Sequence, residues 1–356
     1  MNPLRVAIVG AGPSGLYAAV ELLRRDPLAR VSMIDRLPVV GGLARFGVAP
    51  DHGVRRQVTA VYERLALSSR RFRFYGNLRV GQDLAHQDLL DHHHAVIYAS
   101  GAASDRRLDI PGEDLPGCHA ASEFVGWYNG HPDYCSRQFD LSADRAIVVG
   151  NGNVALDIGR LLLMSSEELR RTDMADHALA ALERSRVREV VILGRRGAAQ
   201  AAFTAPELLE LEALADVDIV VDYGQEPAQD TNPSLRVRLI DEYARRAVRG
   251  RPRRLVLRFL GSPLEIIGQD RVEGLRIARN SLRGDGAGSW RAVPTGQEEI
   301  LPAGLVFRSV GYRAEPLAGL PFDRAAAIVP NEQGRVVDPA LKQACPGVFV
   351  AGWLKR

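Results

Sequence analysis

Two apolar runs, each breaking into a glycine-rich turn and then an amphipathic helical pattern, predict an α/β fold with two Rossmann-like dinucleotide-binding domains. A strand-like run close to the end of the chain predicts that the second domain is inserted into the first. The outer domain then comprises residues 1–105 plus 325–356, and the inner one residues 106–324. A length of 356 residues suits two domains.

The first unit starts with Val6-Ala7-Ile8-Val9, a run apolar at every position, as a buried parallel strand requires. It leads into Gly10-Ala11-Gly12-Pro13-Ser14-Gly15. In such a turn the first glycine permits a tight bend and the second lets the backbone approach a pyrophosphate. The third lets helix and strand pack closely. The pyrophosphate then meets free N–H groups at a helix N-terminus, where the helix dipole favours negative charge. The next strand, Val31-Ser32-Met33-Ile34, ends at Asp35. A carboxylate there accepts ribose hydroxyls and repels a 2′-phosphate, so this site is expected to take FAD or NAD and not NADP.

Further along come the loop Gly41-Gly42-Leu43-Ala44-Arg45-Phe46-Gly47 and a helical pattern near Arg55 to Leu67. The strand Ala95-Val96-Ile97-Tyr98-Ala99 then ends in Ser100-Gly101-Ala102. A turn-rich linker through Ile110-Pro111-Gly112-Glu113 precedes the second unit. There Ala146-Ile147-Val148-Val149 opens into Gly150-Asn151-Gly152-Asn153-Val154-Ala155. Its next strand, Val190-Val191-Ile192-Leu193, leads through Gly194 to Arg195 and Arg196, with no acid at that place. Two guanidiniums can grip a 2′-phosphate in bidentate fashion, so the second site is expected to prefer NADP(H). An arginine pair at a strand end is otherwise a solvated loop. The spacing is longer than usual, and residues 165–185 read as an extra helical segment. Strands recur at Arg254 to Phe259, Val272 to Ala278 and Leu305 to Val310, and Val348-Phe349-Val350-Ala351 runs into Gly352-Trp353.

Composition is that of an ordinary globular protein, 46% hydrophobic and 25% charged, and a net charge of +3 does not suggest a nucleic-acid binder. No apolar run reaches 18 residues, and the N-terminus passes directly into a strand, so neither a membrane span nor a targeting peptide is expected. The three cysteines, Cys118, Cys135 and Cys345, form no CxxC pair. That disfavours a flavin-disulfide reductase and fits a reducing cytoplasm. No metal site is expected.

Several segments resemble the adrenodoxin-reductase type of ferredoxin–NADP reductase. They are Arg45-Phe46-Gly47-Val48-Ala49-Pro50-Asp51-His52, Phe124-Val125-Gly126-Trp127-Tyr128-Asn129-Gly130, and Gly152-Asn153-Val154-Ala155-Leu156-Asp157. Gly194-Arg195-Arg196-Gly197, Ala202-Phe203-Thr204, Ser309-Val310-Gly311-Tyr312 and Gly352-Trp353-Leu354-Lys355-Arg356 complete the set. The resemblance implies FAD in the outer domain and NADPH in the inner one. Hydride passes from nicotinamide to flavin N5, and single electrons then go to an iron–sulfur ferredoxin. It places Gly10, Gly12, Pro13, Ser14, Gly15, Asp35, Arg36, Gly42, Leu43, Arg45, Gly101, Gly352 and Trp353 among the FAD contacts. On the NADP(H) side it places Gly150, Asn151, Gly152, Asn153, Val154, the clamp Arg195 and Arg196, and Glu207 near the nicotinamide. His52 matches a histidine beside the flavin edge, and Asp157 an aspartate that couples the domains. His52, Glu207 and Asp157 are thus the candidate catalytic residues. On residue type alone His52 is a loop histidine and Glu207 an acid favoured by a helix N-terminus.

In that family the Gly-Trp-x-Lys-Arg segment leads into a Gly-Pro-Thr-Gly-type turn and a helix against the flavin pyrimidine, whereas this sequence ends at Arg356. The expectation is that FAD is held less securely than NADP(H). Two rival functions stay open: a flavin subunit feeding another acceptor, and a flavin-depleted NADP(H)-binding protein. The expected partner is an acidic ferredoxin. It docks near Arg245, Arg246 and Arg249, with Arg251, Arg253 and Arg254 close by, unless these form a solvated helix face.

Overall fold

The computed structural model describes residues 2–53, 60–102, 104–224, 233–284 and 290–356. The helix expected near Arg55 to Leu67 is seen as Ala60–Leu67, and its first part lies outside the described residues. The chain divides into two compact units, Met1–Ser104 with Tyr312–Arg356, and Asp105–Gly311.

The outer unit is built on a seven-stranded sheet in the order Asn331–Glu332, Arg335–Asp338, Gln343–Val350, Ala95–Tyr98, Arg5–Val9, Arg30–Ile34 and Phe72–Tyr75. The last five run parallel, and the first two form an antiparallel edge. The run Val6–Val9 is central and buried on both faces, which is why it does not alternate with polar residues. Val6 and Ile8 pack with Leu16, Ala19 and Leu23 of the helix Pro13–Arg25, an i, i+3, i+7 stripe. Pro13 suits the first helical position, and Arg24 and Arg25 in the last turn complement the dipole. Ala7 and Val9 face the opposite layer with Tyr98, Val336, Val348 and Val350.

That second layer corrects one expected boundary. Ala314 is buried in it, and Leu317, Leu320 and Phe322 pack against it. Residues 312–324 therefore belong to the outer unit, because their apolar side chains fill the face beneath the outer sheet.

The inner unit holds a six-stranded parallel sheet, ordered Cys118–Ala120, Leu305–Arg308, Arg145–Val149, Glu189–Leu193, Arg253–Arg258 and Val217–Asp222. One face is covered by the helix Asn153–Leu163, whose residues from Ala155 onward are all buried. The other is covered by an antiparallel sheet of Gly261–Ile267, Gly274–Gly284 and Trp290–Pro302, through Ile266, Leu275, Ile277 and Leu301. Only the middle strand of that sheet was expected. The first contains Pro263, and the last is charged and largely exposed, so neither carries a strong apolar signal. Residues 165–185 form the short helices Ser166–Leu169 and Asp176–Leu182.

Both glycine-rich turns sit where strand order reverses. Arg5–Val9 lies between Ala95–Tyr98 and Arg30–Ile34, and Arg145–Val149 lies between Leu305–Arg308 and Glu189–Leu193. Such switch points open a crevice at the carboxyl ends of the strands.

Candidate functional site

The glycines of the outer turn fall into two kinds. Gly10 has φ +107° and a Cβ there would lie 2.5 Å from the Ala99 carbonyl oxygen, so strand packing itself demands glycine. Gly15 is demanded too, since its Cβ would lie 2.0 Å from the Gly10 oxygen. Gly12 differs. Its φ of −74° is ordinary, and the nearest atom to its Cβ would be the Gly42 Cα at 3.9 Å. The protein does not need glycine there, whereas the approach of a pyrophosphate does.

The loop 41–47 is fitted against that turn. Gly41 N–H donates to the Ala11 carbonyl at 2.8 Å, and a Cβ on Gly42, φ +50°, would lie 2.8 Å from the Gly12 Cα. Leu43 and Arg45 are exposed on the following short helix, and Arg45 Nε donates to the Val40 carbonyl. Asp35 accepts from Ala11 N–H at 2.6 Å and from Leu37 N–H at 2.8 Å, which fixes its carboxylate at the strand end beside partly buried Arg36. A Cβ on Gly352, φ +72°, would lie 2.7 Å from Ser14 Oγ, so the end of the last strand abuts the helix start, next to exposed Trp353. Gly101, φ +76°, has open space around its Cβ position.

The inner turn repeats the pattern. Gly150, φ +129°, faces the Ser309 carbonyl at 2.0 Å from its Cβ position, while Gly152 has φ −97° and nothing within 4 Å. Asn151 lies over Gly194, where a Cβ would sit 2.6 Å from its Nδ2. The Asn151 carbonyl accepts from Ala202 and Phe203 N–H, and Asn153 Oδ1 accepts from Thr204 N–H at 2.8 Å. Val154 opens the helix, partly buried. Arg195 is exposed and Arg196 partly buried; among the described residues neither guanidinium has a hydrogen-bond or ion-pair partner. The glycines and the arginine pair fit a phosphorylated dinucleotide.

The candidate catalytic residues are divided between the units. His52 belongs to the outer one, its N–H donating to the Ala49 carbonyl. Glu207 and Asp157 belong to the inner one, and both are buried. Glu207 accepts from Thr204 Oγ1 at 2.9 Å, which ties it through Thr204 to Asn153 of the turn. Asp157 accepts from Arg160 Nη2 at 2.8 Å, and Arg160 also lies 3.5 Å from Glu210. Burial pulls the Arg160 guanidinium below its ordinary pKa, against the nearby carboxylates of Glu210 and Glu207.

The arginine cluster proves less uniform than its sequence suggests. Arg246 pairs with Glu212 and Glu242, Arg251 donates to the Leu214 and Val217 carbonyls, Arg253 to the Leu163 carbonyl, and Arg254 lies 3.6 Å from Glu189. Among the described residues only the side chains of Arg245 and Arg249 in this set have no such partner. Sequence reading missed Asn280, 1% exposed, whose side chain reaches the Arg195 carbonyl; set between Arg279 and Ser281, it carries no local signal that marks it as buried.

A family model described as pyridine nucleotide-disulphide oxidoreductase matches residues 4–193. The NADPH-ferredoxin reductase FprA of Mycobacterium tuberculosis is 47% identical over 369 residues, covering 100% of this chain and 79% of the relative. The mitochondrial NADPH:adrenodoxin oxidoreductase of Arabidopsis thaliana is 41% identical, covering 100% of this chain and 78% of the relative.

The chain belongs to the adrenodoxin-reductase type of NADPH–ferredoxin reductases, within the pyridine nucleotide-disulphide oxidoreductases.

The solved structure of FprA in complex with NADPH superimposes with a TM-score of 0.94 at 46% identity, over 99% of this chain and 79% of that one. In this chain Cys118, Cys135 and Cys345 are free thiols, and burial pushes the Cys118 thiol up to about 11.

Proposed function

We propose that the protein is a flavin-dependent oxidoreductase that takes a hydride from NADPH and passes single electrons to a ferredoxin. The outer unit holds FAD and the inner unit NADP(H). The observation that carries this reading is the pair Gly12 and Gly152. Both lack a Cβ that their own surroundings tolerate, one beside an acid-ended strand and the other beside an arginine-ended strand.

The chain's own residues bind and orient. Gly10, Gly12, Pro13, Ser14 and Gly15 present the helix N-terminus to the FAD pyrophosphate, and Asp35 accepts ribose hydroxyls. Gly42, Leu43 and Arg45 flank that turn. Gly150, Asn151, Gly152, Asn153 and Val154 do the same for NADP(H), with Arg195 and Arg196 on the 2′-phosphate. Glu207, held by Thr204, positions the nicotinamide end, and His52 lies at the flavin edge. The flavin, when bound, supplies the conversion between two-electron and one-electron transfer.

The acceptor is an acidic ferredoxin, steered by Arg245 and Arg249 and not by the internally paired Arg246. No helix among the described residues is long and apolar enough to cross a membrane, which fits a role in the cytoplasm. Anaerobic titration with NADPH tests the function. Bleaching of a flavin absorption band, followed by stoichiometric reduction of added ferredoxin, is the expected result. A colourless protein that binds NADPH yet reduces nothing sinks it.

A further inference from the structure

We infer that Asn280 is a specificity-determining residue for NADPH, acting by positioning the Arg195–Arg196 clamp; the inference rests on the clamp reading above. Asn280 lies on the middle strand of the antiparallel sheet, where its pairing with Trp290–Pro302 shifts register between Ala278 and Asn280. Its side-chain amide nitrogen donates to the Arg195 carbonyl at 2.9 Å and to Ser262 Oγ at 2.8 Å. Both amide hydrogens are thereby used. Among side chains of this size only asparagine offers two donor hydrogens on one atom.

The backbone of the same residue reaches the second arginine. Asn280 N–H donates to the Leu260 carbonyl at 2.8 Å, and Leu260 N–H donates to the Arg196 carbonyl at 3.2 Å. Leu260 adopts φ +59°, a conformation a branched side chain avoids unless its surroundings hold it. One buried residue thus holds the Arg195 carbonyl directly and is linked to the Arg196 carbonyl through the backbone of Leu260. Farther along the loop, Arg236 Nη2 holds the Ala199 carbonyl at 2.8 Å. The guanidiniums start from a rigid platform, and a bidentate grip on a phosphate depends on that starting point. A nucleotide without the 2′-phosphate does not use the clamp and is indifferent to its position.

Calorimetric titration with adenosine 2′,5′-bisphosphate and with adenosine 5′-monophosphate separates these terms. For Asn280→Ala the expected result is about tenfold weaker binding of the bisphosphate, as for loss of roughly one charge-assisted hydrogen bond, with the monophosphate unchanged within twofold. Ser262→Ala keeps Asn280 in place but frees one amide hydrogen, and an intermediate loss confined to the bisphosphate is expected even if Asn280→Ala does not fold. Equal losses for both nucleotides, or none for either in both variants, overturn the positioning role. The Arg195→Ala/Arg196→Ala double variant is titrated alongside. If it keeps its preference for the bisphosphate, the clamp itself is wrong and this inference falls with it. If it loses that preference while the Asn280 and Ser262 variants keep theirs, the positioning role alone is rejected.

Discussion

Asp35 accepts a 2.6 Å hydrogen bond from the backbone N–H of Ala11, so the acid that ends the second strand also ties down the turn after the first. Its other oxygen accepts from Leu37 N–H at 2.8 Å. The carboxylate and the turn are thus held in place by one another.

Replacing Asp35 with alanine leaves the N–H groups of Ala11, which is fully buried, and of Leu37 without their acceptor. Leaving a buried N–H unpaired costs roughly 1–3 kcal/mol. The variant should melt lower and purify with less FAD per chain, while retaining affinity for adenosine 2′,5′-bisphosphate, since the inner unit is untouched. A normal flavin-to-protein ratio contradicts the role of Asp35.

The two kinds of glycine should respond differently to alanine. At Gly152 the new methyl meets no protein atom within 4 Å, so stability should change by less than about 1 kcal/mol, while NADPH binding is lost. At Gly15 the methyl lies 2.0 Å from the Gly10 oxygen, and the outer unit should be severely destabilised. Thermal melts and nucleotide titrations of both variants decide the matter; unimpaired NADPH binding by Gly152→Ala removes the argument from open space.

On the proposed clamp, each charge-assisted bond from Arg195 or Arg196 to a 2′-phosphate would contribute roughly 1.5–3 kcal/mol. Removing both should therefore cost about a hundredfold or more in the ratio of kcat/KM for NADPH over NADH. Steady-state kinetics with both nucleotides gives the ratio directly, and an unchanged value rejects the clamp.

His119 packs against Phe139 at 4.7 Å between ring centroids, and burial lowers its pKa to about 4 from an ordinary 6.5. The folded form holds this imidazole neutral, so the unfolded chain binds more protons between these values. The contribution is complete above about pH 6.5 and falls away as pH drops towards 4, by on the order of 3 kcal/mol. Replacing His119 with phenylalanine should flatten that loss. Urea midpoints at pH 7 and pH 5 provide the comparison, and parallel shifts in both proteins count against it.

The proposed steering by Arg245 and Arg249 should weaken as salt rises, since the Debye length is only about 8 Å at physiological ionic strength. Ferredoxin reduction should fall steeply with salt, while ferricyanide reduction by the same protein should not. Charge reversal at both arginines should abolish the difference, whereas Arg246→Ala should leave it nearly intact because Glu212 and Glu242 already neutralise that side chain. Equal salt responses for the two acceptors would falsify the docking surface.

Sequence by itself determined the two turns, their order along the chain and their opposite charges. Val6 to Asp35 and Ala146 to Arg196 are local units: an apolar run, a glycine spacing and a charged strand end are all written in neighbouring residues. It could not allot residues 312–324, because Ala314 and its neighbours are assigned by the face they fill and not by any period of their own. It could not pair the arginines with their partners, since Arg246 meets Glu212 only after the helix Leu235–Arg245 packs. Tertiary structure alone decided that Gly42 lies against Gly12 and that Asn280 holds Arg195, 85 residues away. Such contacts depend on which strands come together in space, and no local pattern in the chain encodes that distance.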